Sequence, residues 1–213
     1  MTTARTFLGL RTVTMSVEFG TKEKLERLKP YFAAEAERVR ALGMTAIVGL
    51  TSREAAACRS RWAEEKDEQR RRGVLTDSLR ALITGALAQE VTERGWDGLE
   101  RYGLPHQSRG RLPGSPQGSW PESITVALPI DLFIAVQAGC WNTSKEAVGK
   151  LRDWKERHPK ARPNRPSRPG CSPQALEEYQ YYAAKVLTTG EIWREAVKRG
   201  LKRVEPHLPP PRR

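Results

Sequence analysis

Hydroxyl side chains alternate with apolar side chains in two short segments of the 213-residue chain. The hydroxyl-bearing positions are Thr12, Thr14 and Ser16 in the first segment, and Ser123 and Thr125 in the second. The apolar positions between and beside them are Val13, Met15, Val17, Ile124, Val126 and Leu128. A period of two with β-branched residues predicts a β-strand with one buried face. Because a hydroxyl group can donate or accept a hydrogen bond, such a row could bind a polar partner.

The pattern Thr-x-x-Glu occurs three times and predicts three helix N-termini with capping boxes, which begin at Thr51, Thr143 and Thr188. A break at residues 139–142 precedes Thr143, so a short helix of about Ile130 to Ala138 is expected before it. Thr143, Ser144 and Lys145 lie at the predicted start of the helix that follows this break.

The two halves of the chain resemble each other in three places that follow the same order. Val13 matches Ile124 at an offset of 111, and residues 74–76 match residues 186–188 at an offset of 112. Residues 51–55 match residues 143–147 at an offset of 92. These echoes predict an internal repeat and a mainly α fold with short β-strands (α+β), built from two related strand-helix-helix units. The predicted boundaries are a first unit at 1–94, a flexible linker at 95–121, a second unit at 122–205, and a Pro/Arg-rich tail at 206–213.

A strand, a Leu-Pro turn into a helix and a capped second helix resemble the ribbon-helix-helix family of DNA-binding proteins. The resemblance covers residues 123–157 and recurs less clearly in residues 12–91. It implies that the two strands pair antiparallel into a ribbon that enters the DNA major groove. The DNA contacts it implies at base edges are Thr12, Thr14, Ser16, Ser123 and Thr125, with Arg11 as a guanine contact. At the start of the capped helix it implies that Thr143, Ser144 and Lys145 contact the phosphate backbone. Two copies in one chain look like the tandem members of plasmid transfer and maintenance systems.

Two alternatives remain open at the level of the sequence. The second helix of each unit could begin at Thr51 and Thr143, or at residues 76 and 188. A helix-turn-helix interpretation instead treats residues 51–62 and 143–154 as recognition helices. Its DNA-facing residues would be Arg53, Arg59 and Arg61 in the first helix, and Lys145, Lys150 and Arg152 in the second.

The charge balance favours a polyanionic partner, because 37 Lys and Arg against 25 Asp and Glu give a net charge of +12. The basic runs at residues 70–72 and 160–168 are predicted to be mobile and suited to non-specific phosphate contact.

Other classes of function find little support in the sequence. The three cysteines lie far apart and the three histidines fall in Pro-rich or linker segments, so neither a metal site nor a cofactor nor a catalytic base is predicted. No long apolar run is present, which predicts a cytoplasmic protein without a membrane partner.

The favoured hypothesis is a non-enzymatic, sequence-specific DNA-binding protein: a repressor, or a plasmid partition or transfer accessory factor, acting as a homo-oligomer or an intramolecular pseudo-dimer. The alternative is a non-catalytic RNA- or protein-binding subunit of a larger nucleoprotein or phage assembly.

Overall fold

A computed structural model of the chain describes residues 9–99, 120–164 and 169–210. The described residues form two β-strands and seven α-helices, which confirms a mainly helical α+β fold. The elements in chain order are β1 (Leu10–Val17), α1 (Thr21–Arg27), α2 (Lys29–Thr45), α3 (Ser52–Arg71), α4 (Leu79–Glu93), β2 (Glu122–Pro129), α5 (Ile130–Arg157), α6 (Pro173–Ala183) and α7 (Thr189–Val204).

The strands β1 and β2 pair with each other as an antiparallel two-stranded ribbon, as the family resemblance implied. Val13 lies opposite Val126, and Thr14 lies opposite Thr125. Because successive side chains on a strand point to opposite faces, the apolar series of both strands falls on one side. That side is buried: all six predicted apolar positions are at most 8% exposed.

Helices from both halves of the chain cover the buried face of the ribbon. β1 packs against α7, β2 packs against α4, and α4 and α7 pack against each other. Gly200 allows their close approach, since a Cβ atom at this position would lie 2.9 Å from Leu82 Cγ. The apolar residues of β1, β2, α4, α7 and the first part of α5 form one core.

The helix α5 is continuous from Ile130 to Arg157, so the predicted break at residues 139–142 is wrong. Thr143 lies within this helix, where its hydroxyl donates to the Gly139 carbonyl at 2.8 Å and does not cap a helix start. No proline interrupts the segment, and Gly139 is held in the core against Trp96. Tertiary packing therefore outweighs the weak local tendency of Gly and Asn to end a helix.

The capping boxes predicted at Thr51 and Thr188 are confirmed, and they begin α3 and α7. At each start the threonine hydroxyl accepts from the amide three residues later, and the glutamate accepts from the threonine amide. Thr51 and Thr143 therefore hold different structural positions, one at the start of a helix and one inside a helix.

The C-terminal half of α5 packs against α6 in a small second cluster. Ala147 and Leu151 meet Ala183 and Val186 there. Trp154, which is 1% exposed, donates from its indole nitrogen to the Ala175 carbonyl at 2.8 Å. The helix α6 begins after Ser172, whose hydroxyl accepts from the Ala175 amide at 3.2 Å.

The segments predicted as linker and tail are described only in part. Residues 100–119 of the linker and 211–213 of the tail lie outside the described residues. At the near end of the linker, Trp96 is buried in the core. In the tail, His207 stacks on Tyr31 with 4.5 Å between ring centroids. Across the described ranges, we find no helix that is both long and apolar enough to cross a membrane.

Candidate nucleic-acid interface

The outward face of the ribbon carries a row of exposed hydroxyl groups. The five predicted hydroxyl positions, Thr12, Thr14, Ser16, Ser123 and Thr125, are all exposed. Thr14 and Thr125 lie directly opposite each other, and their hydroxyl oxygens are 3.0 Å apart, within hydrogen-bonding distance. Leu10, Ala127 and Pro129 complete this face, so none of its side chains is charged. The arrangement offers donors and acceptors without a fixed charge.

The carboxylate of Glu122, at one end of the ribbon, is bound to backbone amides. It accepts from the Gly20 amide at 2.9 Å and from the Lys22 amide at 2.8 Å. The bond from the Lys22 amide is the largest cause of a lowered pKa of Glu122, and the bond from the Gly20 amide is the next. Gly20 can occupy the turn before α1 because its φ of 80° is left-handed, which suits glycine. Glu122 thus joins β2 to the start of α1.

Arg11 lies within β1 in the same alternating series as the buried residues, beside the hydroxyl row rather than in it. Its side chain is exposed, and its guanidinium carbon lies 4.3 Å from the centroid of the Phe133 ring. This cation–π contact with α5 holds the guanidinium of Arg11 at the Leu10 end of the ribbon.

The predicted phosphate contacts at residues 143–145 do not form a helix start. Ser144 is 2% exposed, and its hydroxyl bonds to the amide and carbonyl of Leu187 at 2.9 and 3.2 Å. It is therefore a structural link between α5 and the segment before α7, and the prediction that it binds DNA is wrong. Thr143 bonds within α5, and only Lys145 is an exposed cation there.

The helix-turn-helix interpretation needs matching helix starts at Thr51 and Thr143, and the second is absent because α5 continues through it. Arg53 is exposed in the first turn of α3, which packs on α4. Arg53 therefore remains a predicted DNA contact only because it is an exposed cation.

The basic run at residues 70–72 is in large part committed to ion pairs. Arg70 pairs with Asp77 at 2.6 Å and with Asp67 at 2.8 Å, and Arg71 pairs with Asp131 at 2.6 Å. The hydrogen bond that Arg70 donates to Asp77 is the largest cause of its raised pKa, and the bond that Arg71 donates to Asp131 raises the pKa of Arg71. The prediction of a mobile run is wrong for these two residues.

The basic excess of the protein is unevenly distributed along the chain. The described residues contain 29 Lys and Arg against 24 Asp and Glu, a net charge of +5. The remaining +7 belongs to the 35 residues outside the described ranges. The described residues therefore carry less than half of the net positive charge, and the described ribbon face supplies neutral hydrogen-bonding groups.

Ser78 and Arg80, at the start of α4, were not predicted as site residues from the sequence. Ser78 caps this helix, with its hydroxyl accepting from the Ala81 amide at 3.1 Å, and Arg80 lies in the first turn. The first turn contains no acidic residue, but the ionised Asp77 directly precedes the cap and accepts from the Ser78 hydroxyl at 3.3 Å, so this helix start disfavours a phosphate. The signal in the sequence was the serine directly before the strongest apolar stripe.

The described residues contain no cluster of three His, Cys, Asp or Glu side chains that could hold a metal ion. Among the cysteines, Cys140 is buried, and burial raises the pKa of its thiol to about 12. It remains a protonated thiol at neutral pH and packs in the core as a small apolar side chain.

Comparison of the chain with protein-family models, with curated proteins and with solved structures gives no significant match.

Proposed function

We propose that this protein binds double-stranded DNA and reads its sequence with the hydroxyl row of the ribbon in the major groove. The observation that carries the proposal is the pairing of two distant segments into one ribbon whose outward face is a row of exposed Ser and Thr. A two-stranded ribbon fits the width of the major groove. Occupying a DNA site in this way is what a repressor, or a plasmid partition or transfer accessory factor, must do.

The register of the ribbon supports a pseudo-dimer within one chain. At the repeat offset of 111, Thr14 corresponds to Thr125, and these two residues also face each other across the ribbon. A two-fold axis between two equivalent strands requires such a self-matching pair at its centre.

The helices are consistent with the same axis. α4 and α7 follow the matching segments 74–76 and 186–188, and each crosses to the opposite strand. In this proposal β1 with α4 and β2 with α7 are the two related units. The helices α2, α3, α6 and the end of α5 are additions to them.

The hydroxyl row suits base reading better than it suits simple phosphate binding. Ser and Thr can donate to guanine or thymine acceptors and accept from adenine or cytosine amino groups, so that their order selects a sequence. Arg11, at one end of the ribbon, would add a guanine contact only by leaving the Phe133 ring. Non-specific affinity would come chiefly from the basic residues outside the described ranges.

The test is a fluorescence-anisotropy titration of the full chain against a duplex selected from a random library, a random duplex and an RNA, at about 50 and 200 mM salt. We expect the selected duplex to bind at least tenfold more tightly than the random one. Thr14→Ala and Thr125→Ala should each reduce that preference by roughly three- to tenfold, the lower range for a lost base contact. Thr45→Ala removes an exposed threonine of α2 as the matched control and should change nothing.

The proposal fails if duplex DNA does not bind at low salt, or if both ribbon variants keep the full preference. Tighter binding to RNA than to every duplex would favour the alternative of an RNA-binding subunit. Thermal unfolding of each variant verifies that the fold is retained.

A further inference from the structure

The outward face of the ribbon differs in chemistry between its two ends. At the end that we call the apolar end, the outward residues are Leu10, Thr12, Ala127 and Pro129. At the other end, which we call the hydroxyl end, Ser16 lies opposite Ser123. Three of the four outward side chains at the apolar end therefore lack a hydrogen-bonding group, whereas both outward side chains at the hydroxyl end carry one.

The apolar end presents its side chains outward rather than to the core. Leu10 is 53% exposed, and Ala127 and Pro129 are half-buried. Among the described residues, the apolar core includes neither Leu10 nor Ala127. The Ile130 amide donates to the Gly9 carbonyl at 3.0 Å, which extends the strand pairing beyond Leu10 by one hydrogen bond. Leu10 is thus an exposed apolar side chain on a fully paired strand.

The proposed two-fold axis, which passes through the Thr14–Thr125 pair, relates the two ends to each other. At the repeat offset of 111, Ala127 is the counterpart of Ser16. One end therefore carries a methyl group where the other end carries a hydroxyl group. The backbone of the ribbon has two matching ends, but its side chains do not match.

Charge distinguishes the two ends a second time. Arg11 is adjacent to Leu10 at the apolar end, and its counterpart at the offset of 111 is Glu122, at the hydroxyl end. The Glu122 carboxylate accepts from the amides of Gly20 and Lys22, so its position is fixed by the start of α1. Positions that correspond by the repeat thus carry opposite charges.

We propose that the ribbon binds its DNA site in one orientation, with the apolar end against thymine methyl groups in one half of the site. The methyl group of thymine is the apolar group that a base presents in the major groove, and Leu10 and Ala127 are the side chains that match it. The hydroxyl end instead suits the donors and acceptors of the other half. This inference rests on the proposed function and names the base that one half of the same site reads.

A two-fold ribbon with unequal ends requires a target with unequal halves. Two identical strands would read the same bases in both half-sites, in the manner of a symmetric dimer. Here the preferred target is an imperfect inverted repeat, in which the thymine-rich half lies under the apolar end. Turning the protein round on this target would place Ser16 and Ser123 against methyl groups and leave polar base edges opposite Leu10.

The test removes the methyl group from the DNA and leaves every other base atom in place. Deoxyuridine replaces thymine in the duplex selected from the random library, and fluorescence anisotropy compares the binding of the full chain to the two duplexes. We expect about three- to fivefold weaker binding to the substituted duplex, the effect of one buried methyl group. When one half of the site is substituted at a time, the loss should come from one half alone.

A double variant of the apolar end tests the protein side of the same contact. Leu10→Ser with Ala127→Ser gives this end the chemistry of the hydroxyl end, so the variant should bind the thymine and deoxyuridine duplexes about equally. Leu42→Ser is the matched control, because Leu42 of α2 is 50% exposed and lies outside the ribbon. It should keep the preference of the parent for thymine, and thermal unfolding verifies that both proteins are folded.

Three results would overturn this inference while the DNA-binding proposal stands. They are equal binding of both duplexes by the parent protein, an equal loss from the two half-sites, and a thymine preference that persists in the double variant. In each case the selected duplex would still bind more tightly than the random one, and Thr14→Ala would still reduce that preference. Absence of any preference for the selected duplex would instead overturn both proposals.

Discussion

At the scale of single residues, Arg70 and Asp77 hold the turn that joins α3 to α4. The guanidinium donates to both carboxylate oxygens, at 3.1 and 2.6 Å, and the Asp77 side chain is only 8% exposed. Burial by itself raises the pKa of Asp77, but the hydrogen bonds and charge of Arg70 more than offset it, and the net pKa is lowered. The pair therefore connects two helices through an ionised, half-enclosed carboxylate.

This pair predicts a particular dependence of stability on pH. The pKa of Asp77 is lower in the folded chain than its unfolded value of about 3.9, so the ionised form stabilises the fold above that value. The contribution is lost as the pH falls through the folded pKa. In urea unfolding at pH 7 and pH 3, Asp77→Asn should be less stable than the parent at pH 7 and should lose less on acidification. An equal loss in both proteins would show that Asp77 does not contribute.

At the scale of elements, the long helix α5 contains two glycines in opposite surroundings. A Cβ atom at position 139 would lie 2.0 Å from the Trp96 ring, whereas at position 149 nothing lies within 4 Å. Gly139 is thus required by packing between α5 and the end of α4, and Gly149 only weakens the helix.

The two positions predict changes of opposite sign in the free energy of unfolding. Gly139→Ala should destabilise the protein by about 1–3 kcal/mol, because the ring of Trp96 must move within a packed core. Gly149→Ala should stabilise it by up to about 1 kcal/mol through the higher helix propensity of alanine. Urea unfolding of the two variants measures both effects. If Gly139→Ala were as stable as Gly149→Ala, the close packing of Trp96 against Gly139 would not contribute to stability as we expect.

At the scale of the whole molecule, one core is shared by the two halves of the sequence. β1 from the first half and β2 from the second form the only sheet of the described residues, and α4 and α7 pack against each other. Neither half alone could pair its strand or cover its strand's apolar face.

Separation of the halves tests this shared core. Fragments 1–108 and 109–213, prepared separately, should each show no cooperative thermal unfolding by circular dichroism, because an unpaired strand and half a core cannot offset the loss of chain entropy. Mixing the two fragments should restore a cooperative transition. Cooperative unfolding of either fragment by itself would instead show two independent domains.

The sequence by itself determined the local features of this protein. Alternation located both strands and their buried faces, and the Thr-x-x-Glu pattern located the starts of α3 and α7. Each of these features depends on contacts within a few residues, such as a capping hydroxyl and the amide three positions later. The hydroxyl row of the candidate interface follows directly from the same alternation.

Only the tertiary structure decided the features that depend on distant partners. The same pattern at Thr143 failed, because the core contacts of Gly139 and the burial of Ser144 against Leu187 kept α5 helical through it. The sequence shows Arg70 and Arg71 only as part of a basic run, whereas the fold places Asp77 and Asp131 within ion-pair distance of them. The choice of α4 and α7 as the helices behind the ribbon was likewise decided by packing, since burial against another element is what gives most helices their stability.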